Sequence, residues 1–73
     1  MKRRFWNAEV EVYEDGSVKA AVLWSREAET KPADRRVRNP GREVFSLWYE
    51  SEGEARGMVL EALAESDGAE EEG

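Results

Sequence analysis

The chain has 73 residues, of which 17 are acidic and 11 basic, a formal charge of −6 with no cysteine and no histidine. A chain of this length buries only about 60% of its unfolded surface, so it makes one domain with a thin core, resting here on three Trp, two Phe and two Tyr. Without cysteine there is no disulfide and no thiolate ligand; without histidine the commonest general base and metal ligand are both missing, as is every Ser-His or Cys-His nucleophile.

Residues 5–24 read as one β-hairpin. Trp6, Ala8, Val10 and Val12 alternate with Asn7, Glu9 and Glu11, and the return limb repeats the pattern with Val18, Ala20, Val22 and Trp24. Loop length decides whether these two apolar sets meet. A two-residue Asp-Gly turn would pair Val12 with Lys19 and place the sets on opposite faces. A three-residue Glu14-Asp15-Gly16 loop, with Gly16 in the left-handed region, instead pairs Val12 with Val18, Val10 with Ala20, Ala8 with Val22 and Trp6 with Trp24. It also sets Glu11 against Lys19, a favourable cross-strand charge pair. The three-residue loop is the expected one.

Residues 25–34 are polar and without clear period, a loop or a frayed extension of the hairpin ended by Pro32. Arg35 to Arg38 suits either a short edge strand or a mobile basic loop. Asn39-Pro40-Gly41-Arg42 fits a tight turn with Pro second and Gly third. Residues 43–49 form an aromatic-rich strand with Phe45, Leu47 and Tyr49 on one face and Val44, Ser46 and Trp48 on the other. The first set is the better core candidate, which leaves Trp48 to be explained.

Ser51-Glu52-Gly53-Glu54 is a capping box that opens a helix, with both glutamates at the positive end of the helix dipole. Ala55, Met58, Val59, Ala62 and Leu63 form its buried stripe. Gly57 points to close packing on the sheet or to plain tolerance, and Gly68 to a C-cap. Residues 69–73 have nothing to bury and read as a disordered acidic tail. The expectation is one α+β domain over residues 1–68: a small antiparallel β-meander of three strands, possibly a fourth, with one C-terminal helix packed on one face.

Catalytic and metal chemistry find little support. Glu9 with Glu11 reads as a solvated strand face, Glu52 with Glu54 as helix capping, and a domain this thin has little room for a cleft. Glu70, Glu71 and Glu72 lack the spacing of a calcium loop, and no Gly-rich phosphate loop occurs. The expectation is a protein that is not an enzyme and takes no cofactor or metal. Met-Lys-Arg-Arg begins like a signal peptide, but Glu9 and Glu11 fall where an apolar segment belongs, and no run approaches the roughly 20 apolar residues of a membrane span. A cytoplasmic protein is expected.

Charge is segregated along the chain: +3 over residues 1–4, −3 over 5–24, +3 over 25–42 and −9 over 43–73. Arg35, Arg36, Arg38 and Arg42, with the N-terminal cluster, offer phosphate contacts, and Trp48 or Phe5 a stacking surface, against the repulsion of an acidic body. Protein binding suits the composition better, since large aromatics beyond what one face can bury are typical anchors. With Trp6 and Trp24 on the core face, the other face would present Phe5, Glu9, Glu11, Leu23 and Trp48 as an apolar patch rimmed with carboxylates, unless the 25–42 segment covers it.

The hairpin Val12-Tyr13-Glu14-Asp15-Gly16-Ser17-Val18-Lys19, in a short acidic chain, resembles that of some anti-CRISPR proteins, phage-encoded inhibitors that bind basic nucleic-acid-handling surfaces. Glu14-Asp15-Gly16 followed by Ser51-Glu52-Gly53-Glu54-Ala55 is similar to the plan of HicB-type antitoxins, although the Leu-Pro-Gly-Cys stretch of that family is missing. These resemblances imply a non-enzymatic acidic binder of a larger protein or complex with a basic surface or, alternatively, an antitoxin or nucleic-acid-binding regulator working through residues 35–42. Neither carries a specific functional residue across. A monomer and a homodimer through an exposed strand edge both remain open.

Overall fold

The computed structural model describes residues 1–65, and the expected Gly68 cap and acidic tail lie outside them. Four antiparallel strands, β1 (Arg3–Tyr13), β2 (Val18–Ala28), β3 (Arg35–Asn39) and β4 (Arg42–Tyr49), precede a single helix, α1 (Glu52–Ala64). The fold is α+β, and Arg35 to Arg38 belong to an edge strand. Sheet order is β2-β1-β4-β3. This departs from a simple meander in one step: β2 and β3 are consecutive in the chain yet occupy opposite edges. Residues 29–34 therefore cross the width of β1 and β4.

Both hairpins follow from their turn residues. Gly16 takes φ 91°, its N–H donates to the Tyr13 carbonyl at 3.0 Å, and the Tyr13 N–H donates to the Ser17 carbonyl at 2.9 Å. Asp15 secures the loop by accepting from the Ser17 N–H at 2.9 Å and the Ser17 hydroxyl at 2.6 Å. The three-residue loop forms, and Val12–Val18, Glu11–Lys19, Val10–Ala20 and Ala8–Val22 pair in the expected register. Gly41 takes φ 82° at the third position of the β3–β4 turn, and the Glu14 N–H donates to its carbonyl at 3.0 Å, tying the two hairpin tips together.

The expected Trp6–Trp24 pair does not form. The register shifts between Asn7 and Ala8, so that Ala8 faces Val22 but Asn7 faces Trp24 and Trp6 faces Ser25. Leu23 is the extra residue of a β-bulge. One inserted residue reverses the face of everything beyond it, which sends Trp24 and Arg26 to the side of the sheet away from α1. Deleting Leu23 is expected to preserve both flanking registers, and to lower the thermal midpoint by less than Trp24→Ala does. A deletion more damaging than Trp24→Ala would show that the bulge supplies needed curvature.

The core is consequently split across both faces of the sheet. Ala8, Val10 and Ala55 are buried on the helix side; Phe5, Asn7 and Trp48 are buried on the other. Trp48, not Phe45, Leu47 or Tyr49, is the buried residue of β4, the latter three being half-buried. This corrects the choice of core face for that strand. The physical reason is the bulge, which brings Trp24 across the sheet to meet Trp48 edge-on at 4.9 Å.

The helix begins as expected, with the Ser51 hydroxyl accepting from the Glu54 N–H at 3.1 Å. It ends at Glu65, whose N–H donates to the Glu61 carbonyl at 3.2 Å. Ala55 is its one fully buried residue, while Met58, Val59, Ala62 and Leu63 are half-buried. A Cβ at Gly57 would meet nothing within 4 Å, so close packing does not account for this glycine.

Candidate functional site: two faces of one sheet

On the face away from α1, β1 contributes Phe5, Asn7, Glu9 and Glu11, and β4 contributes Val44, Ser46 and Trp48. Phe5 is fully buried and Trp48 only 6% exposed, so neither lies in an open patch. The Arg3 guanidinium stands 5.2 Å from the Phe5 ring and that of Arg26 stands 5.4 Å from the Trp48 ring. The Asn7 amide donates to Ser46 Oγ at 2.9 Å and to the Leu47 carbonyl at 3.3 Å. Asp34, at the end of the crossing segment, accepts from the Trp48 N–H at 2.9 Å and extends the ladder where β3 has not yet begun. The expected patch thus divides: Phe5 and Trp48 join a closed cluster, while Glu9 and Glu11 stay half-buried and Leu23 is 52% exposed.

Glu11 is held in place from three sides. The Tyr13 hydroxyl donates to it, Arg42 Nη1 approaches to 3.2 Å, and Lys19 faces it across the strand pair. The Tyr13 hydroxyl first, then Arg42 and Lys19, lower its carboxyl below the ordinary 4.5 against a smaller opposing effect of desolvation. Asp15 is likewise lowered from 3.8, by the Ser17 hydroxyl and then the Ser17 N–H. Both groups ionise more readily in the folded chain. Their stabilisation is complete above the ordinary values and is lost as pH falls through the lowered folded ones. Urea midpoints should therefore fall on acidification below about pH 4.5, with a shallower slope in Glu11→Gln/Asp15→Asn. An unchanged slope in that variant would place the acid sensitivity elsewhere.

The arginines are mostly engaged within the chain. Arg36 and Arg38 share Glu43 at 3.3 and 3.2 Å, and Arg42 pairs with Glu11. Arg35 makes no ion pair with a described residue and is exposed. Exposed pairs of this kind are worth little to stability, but they lower the charge available to a phosphate backbone.

The helix face holds two adjoining concavities, which sequence reasoning missed. Strands lie about 4.8 Å apart and a helix is about 10 Å across, so one helix covers about two strands. Here α1 packs on β2 and β1 and only lightly on β4. A groove of about 500 Å³ remains beside it, floored by Val10, Val12, Val18, Phe45 and Leu47 and walled by Met58 and Ala62. Among the described residues, Glu61 and Glu65 are the charged ones lining it. Toward the start of α1 it continues past Tyr49, Glu54 and Gly57. Burial first, then the fields of Asp34, Glu61 and Glu54, push the Tyr49 hydroxyl up. The signal was available in the sequence: a four-stranded sheet with one short helix leaves half a face uncovered.

Among the described residues no helix is long and apolar enough to cross a membrane, and no group of three or more acidic, Cys or His side chains is placed to hold a metal. Comparison with known proteins yields no match, whether to family models, curated proteins or solved structures.

Proposed function

We propose that this chain is a small non-enzymatic binding protein that occludes a basic surface of a larger protein or complex, as a phage-encoded inhibitor of the anti-CRISPR kind would. The observation that carries the reading is the groove beside α1, an apolar floor next to a carboxylate wall. Apolar burial would hold such a complex and the acidic field would speed its formation. The nucleic-acid alternative, including an antitoxin working through Arg35, Arg36, Arg38 and Arg42, is disfavoured by the ion pairs that engage three of these four arginines. Pull-down from a bacterial lysate at low and moderate salt tests the proposal, and retention of a basic or nucleic-acid-handling protein is expected. Retention instead on immobilised DNA or RNA near physiological salt, lost when Arg35, Arg36 and Arg38 become Ala, would favour the alternative.

A further inference from the structure

We infer that the groove beside α1 is a slot for one amphipathic helix of the partner, lying on β4 with Lys or Arg along its flank facing α1. The inference rests on the reading of the chain as a binding protein and names the partner's docking element. Width is the first argument: the uncovered strip is about two strands across, the footprint of one helix. Floor chemistry is the second, because Val10, Phe45 and Leu47 give the slot an apolar floor, the surface on which the apolar face of an amphipathic helix lies.

Charge decides what kind of helix fits. Glu54, Glu61 and Glu65 line the α1 side. Arg36 and Arg38 share a face with Phe45 on the far side, where, among the described residues, the single carboxylate Glu43 answers both guanidiniums. One wall is acidic and the opposite rim carries an excess positive charge, so a helix with basic residues on one flank and acidic residues on the other fits in one orientation. A second copy of α1 does not suit the slot. Its glutamates outnumber its one basic residue, Arg56, and would meet the acidic wall.

Gly57 gives independent support. It lines the slot, a Cβ there would meet nothing, and glycine inside a helix is unfavourable against alanine. A bare backbone at this point admits a neighbouring helix at close range.

The test titrates the full chain with an 18-residue amphipathic helical peptide, the Lys peptide, with Leu on one face, Lys along one flank and Glu along the other, followed by backbone amide NMR, with a Glu peptide carrying Glu on both flanks as control. Shifts are expected at Val10, Phe45, Leu47, Met58 and Ala62 for the Lys peptide and none for the Glu peptide. Glu61→Lys/Glu65→Lys and, separately, Gly57→Leu should each weaken binding at least tenfold while the thermal midpoint stays at or above that of the parent. Glu9→Lys/Glu11→Lys should leave peptide binding within twofold. Shifts confined to the β2 or β3 edge or to the Glu9–Glu11 face, no binding, or binding indifferent to Gly57→Leu would each overturn the slot. So would a concentration-dependent dimer abolished by Gly57→Leu, since the occupant would then be a second copy. The slot and the broader reading fail separately: a lysate partner captured equally by the parent and by Gly57→Leu keeps the binding function and discards the slot, whereas peptide binding in the slot with no lysate partner retained discards the broader reading.

Discussion

Trp48→Ala is expected to leave the chain largely unfolded at about 25 °C. Removing a buried Trp costs about 3–5 kcal/mol, and a domain of this size has a total stability of about the same magnitude. Trp48 is 6% exposed, on a strand with neighbours on both sides. It meets Trp24 edge-on at 4.9 Å, lies under the Arg26 guanidinium, and sends its own N–H to Asp34. Truncation would strand the Trp24 ring, already 48% exposed, with no partner across the sheet. Trp48→Phe should retain the fold with a lowered midpoint, because the edge contact survives in part. Far-UV circular dichroism and urea unfolding distinguish these outcomes. A cooperative transition for Trp48→Ala within a few degrees of the parent would show that the second cluster contributes little.

Asn7→Asp is expected to be nearly as damaging at neutral pH, with the opposite dependence on acid from that of the parent. Asn7 is 2% exposed, and its amide nitrogen donates to Ser46 Oγ and to the Leu47 carbonyl. A carboxylate there would face a carbonyl oxygen, and neither neighbour carries a positive charge. Burying such a charge costs on the order of 3 kcal/mol or more. Burial raises the folded pKa of the new aspartate, so the penalty is absent below its unfolded value of about 3.9 and grows as pH rises toward the folded one. The gap between variant and parent should therefore narrow as pH falls, just where the parent loses the contributions of Glu11 and Asp15. Asn7→Leu provides the comparison: a cost of about 1–3 kcal/mol from the deserted carbonyl, the same at every pH. An Asn7→Asp protein as stable as the parent at pH 7 would mean that water reaches residue 7.

Several features of the fold were legible in the sequence because they depend on neighbours in the chain. The Glu14-Asp15-Gly16 loop and the Asn39-Pro40-Gly41-Arg42 turn are set by residues that take positive φ at fixed positions. The hairpin register from Val12–Val18 to Ala8–Val22 follows from loop length and alternation. Ser51 as the helix cap and the α1 stripe from Ala55 onward follow in the same way from local hydrogen bonding and a 3.6-residue period.

What only the tertiary structure decided begins at Leu23. Nothing in the local pattern marks that residue as a bulge, because Val22-Leu23-Trp24 continues the alternation as well as it breaks it. The bulge goes with a contact distant in sequence, Trp24 with Trp48, and Asn7 with Ser46 and Asp34 with the Trp48 N–H tie the same face together. Those contacts drew Phe5 and Trp48 from the expected open patch into a closed cluster, leaving Glu9, Glu11 and Leu23 apart from it. Strand order is a second such decision, since pairing β1 with β4 joins residues 29 to 43 apart and sends β2 and β3 to opposite edges. The slot beside α1 then follows from geometry, as one helix placed over β2 and β1 cannot also cover β4.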